Sequence, residues 1–129
     1  MVKSAGAKKK IIKGENELLV DAIVKGLEEK KAKDITIMDL RGIHGAMSDF
    51  FVVCHGESST QVEALARSVE ESVFKEFGEN PLHLEGMKNA QWVLIDYIHV
   101  VVHVFQREQR EYYGIERLWA DAEFHHIPS

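Results

Sequence analysis

Apolar positions change their period at several readable points along the chain. From about Glu15 to Lys31, Leu18, Leu19, Ala22, Ile23 and Leu27 recur at helical spacing and run out into Glu28-Glu29-Lys30-Lys31, which predicts a first helix. Ile35 to Leu40 reads as a strand, and Arg41 to Ser48, with Gly42 and Gly45, as a loop. Phe50 to His55 is a second strand, followed by Gly56. Ser58-x-x-Gln61 and Thr60-x-x-Glu63 both fit a capping box, so a second helix opens near Ser58 or Ser59. Val62, Leu65, Ala66, Val69, Val73 and Phe74 supply its buried stripe, and Gly78 and Pro81 end it. Leu82 to Glu85 is a short strand and Gly86 to Ala90 a connector.

Gln91 to Phe105 holds two strand-like runs with a break near Tyr97 to His99. The first alternates, with Trp92, Leu94 and Asp96 on one face and Val93, Ile95 and Tyr97 on the other. The second is apolar at nearly every position, as in a strand covered on both faces. A polar helix over Gln106 to Glu111 leads to Tyr112-Tyr113-Gly114 and a short helical turn carrying Leu118 and Trp119. The predicted fold class is α/β (α+β): one domain, a mixed five-stranded sheet with helices packed on it, and a β-α-β crossover of right-handed sense around residues 50–85. Its bounds are residues 15–122, between a tail at 1–14 and a tail at 123–129.

Composition narrows the function. With 45% hydrophobic residues in 129, the chain can bury a core without metal or disulfide support. The lone Cys54 allows no intrachain disulfide and sits in an apolar run, as an inert core thiol would. No apolar run approaches membrane-spanning length, and no signal or transit segment is evident at the N-terminus, so a cytoplasmic protein is expected. The net charge of −5 disfavours general nucleic-acid binding and suits a basic partner. Lys8-Lys9-Lys10 is the local exception, read as a solvated end with contact to RNA as the other reading.

No reactive constellation stands out. His99 and His103, four residues apart on a strand, would stand roughly 13 Å apart, too far for one zinc ion. No CxxC or HExxH pattern is present, and neither metal nor cofactor is expected. Gly56-Glu57-Ser58-Ser59 could hold an anion but lacks the glycines and lysine of a phosphate loop, so a helix cap is expected. Asp39, Asp49 and Asp96 form no Asp-x-Asp pair; Asp39 could cap the loop and Asp49 could pair with Arg41. No catalytic residue is assigned and no enzyme is expected. The aromatic residues Trp92, Tyr97, Tyr112, Tyr113 and Trp119 can extend the core or form a recognition patch, and their spacing leaves both readings open.

Asp39-Leu40, Ser48-Asp49-Phe50-Phe51-Val52-Val53-Cys54 and Ser58-Ser59 with Gln61-Val62 form a linked set of motifs. Glu85-Gly86, Ala90-x-Trp92-Val93-Leu94-x-Asp96-Tyr97, Val100-Val101-Val102-His103-Val104-Phe105, Arg110-x-Tyr112-Tyr113 and Glu116-x-Leu118-Trp119 complete it. In this order, over about residues 15–122, they resemble the ribosomal silencing factor family, also called Iojap-like. The resemblance departs at Ile98-His99, where the family usually has Gly-Asp, and at His55, where a small residue is common.

The resemblance implies a nucleotidyltransferase-like topology without an established enzymatic role. It implies binding to the large ribosomal subunit through its protein number fourteen, steric blockade of subunit joining, and repression of translation when nutrients are scarce. Some members form homodimers. Carried over by position, the contact residues would be Trp92, Val93, Leu94, Asp96 and Tyr113, with Glu116 and Leu118 beside them. Two alternatives accompany this reading: a nucleotidyl- or phosphotransferase using Asp39, Asp49 or Asp96, and a self-associating protein that buries the Trp92 hairpin in a dimer.

Overall fold

Each long helix begins where the sequence supplies a partner for its free backbone N–H groups. At the first, the Gly14 N–H donates to Glu17 Oε1 at 2.7 Å. At the second, Ser58 Oγ accepts the Gln61 N–H at 3.1 Å, while Gln61 Oε1 accepts the Glu57 N–H at 2.8 Å. The strand-to-helix corner at Gly56 to Ser59 is therefore a cap.

A computed structural model describes residues 14–128. Its elements are α1 (Glu15–Glu29), β1 (Lys33–Asp39), β2 (Phe50–Gly56), α2 (Ser59–Phe77), β3 (His83–Glu85), β4 (Trp92–Asp96), β5 (Val100–Gln106), α3 (Arg107–Tyr113), α4 (Ile115–Leu118) and β6 (Glu123–His126). Lys8-Lys9-Lys10 lies outside the described residues, as does the rest of the expected tail apart from Gly14. The sheet order is β3-β4-β5-β2-β1-β6. β2 and β5 pair in parallel, and every other neighbouring pair is antiparallel. The β2-α2-β3 crossover thus spans β5 and β4.

Helices α1 and α2 cover one sheet face. Leu19, Ile23, Leu27, Val62, Leu65 and Val69 meet Val52, Val93, Ile95, Val102 and Val104 there. The helices approach closely at Gly26, where a Cβ would come within 2.7 Å of the Ser68 carbonyl oxygen. Ser68 Oγ donates to Gly26 O at 2.7 Å, and Ser72 Oγ donates to Ala22 O at 2.6 Å. The opposite face carries a smaller core of Met38, Leu40, Val53, Phe105, Ile115 and Ala122, against which Phe51, Trp92 and Trp119 pack. Covered on both sides, β5 is buried from Val100 to Phe105, as its nearly continuous apolar run implies.

Three expectations need correction. The sheet has six strands, not five, because residues 123–126, expected in a tail, pair with β1 from Thr36↔His126 to Asp39↔Glu123. Glu-Phe-His-His has no apolar run to announce a strand; backbone pairing at an edge needs none. Leu18 and Phe74, expected in buried stripes, are 45% and 55% exposed. Each follows or precedes a stripe residue by one position, about 100° around the helix and past the edge of the apolar face.

Candidate functional site

Period-two alternation in β4 aims Val93 and Ile95 at the two long helices, and Trp92, Leu94 and Asp96 at the opposite face. On that face α3 packs on β5 and β2. The β4 and β3 side keeps Leu94 and Asp96 half-buried and their cross-strand neighbours Glu85 and His83 exposed. A strip in which Leu94 lies among the polar Asp96, Glu85 and His83 therefore runs beside the α3 layer.

Trp92 stands at the boundary between core and strip. Its indole stacks on fully buried Phe105, with ring centroids 4.9 Å apart. Tyr113, from the end of α3, lies over it at 4.7 Å and is 47% exposed. The indole Nε1–H donates to His103 Nδ1 at 3.1 Å. His103 is buried, its ring set edge-on to Phe51 at 4.5 Å, and burial lowers its pKa to about 4. Trp92 extends the core with its inner edge and is only partly buried, so the rest of the ring borders open surface. Gly86, at φ +91°, lets the connector pass over β4, since a Cβ there would collide with the Trp92 carbonyl oxygen.

Arg110 secures the helix that ends in Tyr113. Its guanidinium forks onto Glu116, with Nε donating to Oε1 at 3.1 Å and Nη2 to Oε2 at 2.9 Å. Nη1 donates to the Asp34 carbonyl at 2.8 Å and meets His55 Nδ1 at 3.0 Å. Nη2 also donates to Thr36 Oγ1 at 3.3 Å. One buried arginine thereby ties α3 and α4 to β1 and β2. Burial and the adjacent Arg110 cation push the His55 pKa down. Asp34 takes a positive φ of 49° as its carbonyl turns toward this arginine.

The hairpin turn answers the Ile98-His99 departure. Ile98 has φ +78°, and the His99 N–H donates to Tyr97 O at 3.0 Å. This is a γ-turn of the positive-φ kind, a strained geometry for a β-branched residue. Asp96 Oδ1 accepts the Ile98 N–H at 2.7 Å and steadies the turn.

The expected contact residues separate into groups. Trp92, Leu94 and Asp96 share one face, Tyr113 joins them through Trp92, and Leu118 is 75% exposed on α4. Val93 is a correction: it is fully buried under the long helices and presents no side chain to a partner. Glu116 is turned to Arg110. Sequence reasoning overlooked two residues that shape the site, His103 and Arg110. A histidine interrupting a valine run on the Trp92 face was the available signal for the first; Arg110 gave none beyond its place in a motif.

The carboxylates weighed for catalysis are engaged locally. Asp39 caps the loop, accepting the Arg41 N–H at 3.0 Å, and pairs with the Arg41 guanidinium, which holds its pKa below the usual carboxylate range. The expected partner of Asp49 was Arg41, but Asp49 accepts from Asn16 Nδ2 at 2.9 Å. Among the described residues, no three His, Cys, Asp or Glu side chains are grouped so as to hold a metal ion. Burial pushes the Cys54 thiol up to about 12. No helix among these residues is long and apolar enough to cross a membrane.

Comparison with known proteins bears on this geometry. The family model described as "Ribosomal silencing factor during starvation" matches residues 13–129. The ribosomal silencing factor RsfS of Halalkalibacterium halodurans is 42% identical over 107 residues, covering 83% of this chain and 90% of its own. That of Bacillus subtilis is 43% identical over 95 residues, covering 74% and 79%. A crystal structure of a Chromobacterium violaceum protein superposes with a TM-score of 0.77 at 35% identity, covering 90% of this chain and 92% of that one.

Proposed function

Because this chain belongs to the ribosomal silencing factor family, we propose that it silences translation by docking on the large ribosomal subunit through that subunit's protein number fourteen. Bound there, it obstructs joining of the small subunit, and it acts when nutrients are limiting. The work is done in the cytoplasm and requires no reaction; occupying the inter-subunit face is enough. The observation that carries the reading is the half-buried Trp92 indole, packed between Phe105 and Tyr113 at the rim of an open strip containing Leu94 and Asp96. Aromatic anchors beside aliphatic groups exclude water at an interface, while rim carboxylates such as Asp96 and Glu85 steer a basic partner.

The test is co-sedimentation of purified subunits with Trp92→Ala and Tyr113→Ala proteins whose folded state is verified by circular dichroism. Loss of an anchor of this kind costs about 2 kcal/mol or more, roughly thirtyfold in affinity. Both variants are expected to leave subunit joining unblocked at concentrations where the parent protein blocks it. Undiminished blockade by folded Trp92→Ala protein would remove the strip from consideration.

A further inference from the structure

The pairing of Trp92 with His103 says more than that the two are neighbours. His103 Nδ1 accepts the indole N–H, so Nδ1 is unprotonated and the proton of the neutral ring sits on Nε2. His103 is only 5% exposed, and Nε2 is buried without a hydrogen-bond partner among the described residues. Leaving that N–H unpaired costs more than one neutral hydrogen bond to the indole returns. An apolar side chain would serve a packing role better, since the surrounding positions on this face are Phe51, Val53 and Phe105. What the imidazole supplies, and a hydrocarbon cannot, is an acceptor at Nδ1. Desolvation keeps the ring neutral at physiological pH, so the acceptor stays available.

We propose that His103 is a positioning residue for docking: by accepting the indole N–H it fixes the orientation of Trp92 and turns the ring's polar edge inward. The partner then meets only hydrocarbon from this side chain. Its complementary feature is an apolar pocket, with no hydrogen-bond acceptor reserved for the indole. A ring already held in place also loses less freedom on association. This inference rests on the reading of Trp92 as a docking anchor.

The experiment combines NMR of the full chain with binding of purified large subunits. In the wild-type protein, long-range proton–nitrogen spectra are expected to show the His103 proton on Nε2; a proton on Nδ1 would overturn the proposal without any variant. His103→Phe keeps a ring but removes the acceptor, whereas His103→Asn places an amide oxygen near the Nδ1 position. The indole N–H resonance of Trp92, assigned by its loss in Trp92→Phe, is expected to move in His103→Phe and to return toward its original position in His103→Asn. Large-subunit affinity should fall roughly three- to tenfold in His103→Phe and recover in His103→Asn. Full affinity in a His103→Phe protein whose indole resonance has moved would refute positioning, provided Trp92→Ala has lost binding. Full affinity in Trp92→Ala would instead defeat the anchor reading, and this inference with it.

Discussion

Glu116 can serve the protein outward, as part of a docking surface, or inward, as the counter-charge of Arg110, and the two roles predict different phenotypes. The Arg110 and Glu116 side chains are 10% and 27% exposed and sit 2.9 Å apart. Removing one member of a fully buried ion pair costs about 3–5 kcal/mol. Two features reduce that here: water reaches the glutamate, and Arg110 keeps the Asp34 carbonyl, His55 and Thr36 as partners. Glu116→Ala is therefore expected to cost about 2 kcal/mol. For a chain of this size that is a drop of roughly 6–10 °C in Tm. Urea titration and thermal melting measure the cost, and subunit co-sedimentation at about 10 °C, where the variant remains folded, measures docking. With an inward role, stability falls and docking of the folded fraction is nearly preserved. A second variant, Arg110→Met with Glu116→Leu, removes both charges and should recover part of the lost stability, since paired apolar replacements are often neutral. Melting within ~1 °C of the parent, together with lost docking, would show that the carboxylate faces the partner and would refute the staple.

Two further outcomes follow from strain and from buried histidine. Ile98→Gly relieves a positive φ of 78° at a β-branched residue and should stabilise the protein by about 1 kcal/mol, the strain relieved exceeding the added freedom of glycine in the unfolded chain; a lower urea midpoint would contradict the strained-turn assignment. The His103 pKa is lowered from 6.5 to about 4, so the unfolded chain takes up this proton first as pH falls: the stabilisation is complete above the unfolded value and is lost as pH drops from there toward the folded value. Between about pH 7 and about pH 5 this amounts to about 2 kcal/mol, with His55 adding in the same direction; a His103→Phe protein should show a shallower fall, and an equal one would place the titration elsewhere.

The long periodic segments were legible because one physical term dominates them. Apolar spacing at 3.6 or 2 residues fixes which face is buried, and it located α1, α2, β2 and β5 to within about two residues. It failed where burial does not decide. β6 contributes only the half-buried Phe124, so pairing with β1 left no mark in hydrophobicity. Leu18 and Phe74 are apolar residues just past the edge of a stripe, where composition cannot distinguish core from surface. At the site, the alternation itself separated Val93 from Trp92 and Leu94; grouping Val93 with the contact residues followed a contiguous motif against the period-two rule, and the rule held. Arg110 draws partners from β1, β2 and α4, a convergence with no fixed spacing in the chain.

Placing the proposed anchor, Trp92, at the rim of a core has a consequence for how the surface can change. The face of Trp92 that stacks on Phe105 and the N–H that meets His103 are set by the fold, so on the proposed reading altering the ring would alter stability and docking together. Tyr113 is bound in the same way, because the helix that carries it is secured through Arg110. Leu94 and Asp96 differ: they project from a strand whose register is fixed by β3 and β5, and their side chains lie half-open on the strip. Under the proposed docking mode, partner preference would be retuned at Leu94, Asp96 and the exposed Glu85 at little cost to folding, whereas Trp92 would be held constant by the core beneath it. The chemistry follows the same division: the fixed part of the surface is aromatic and directionless once the indole N–H is satisfied, and the variable part carries the charge that, in the proposed docking mode, would select a basic partner.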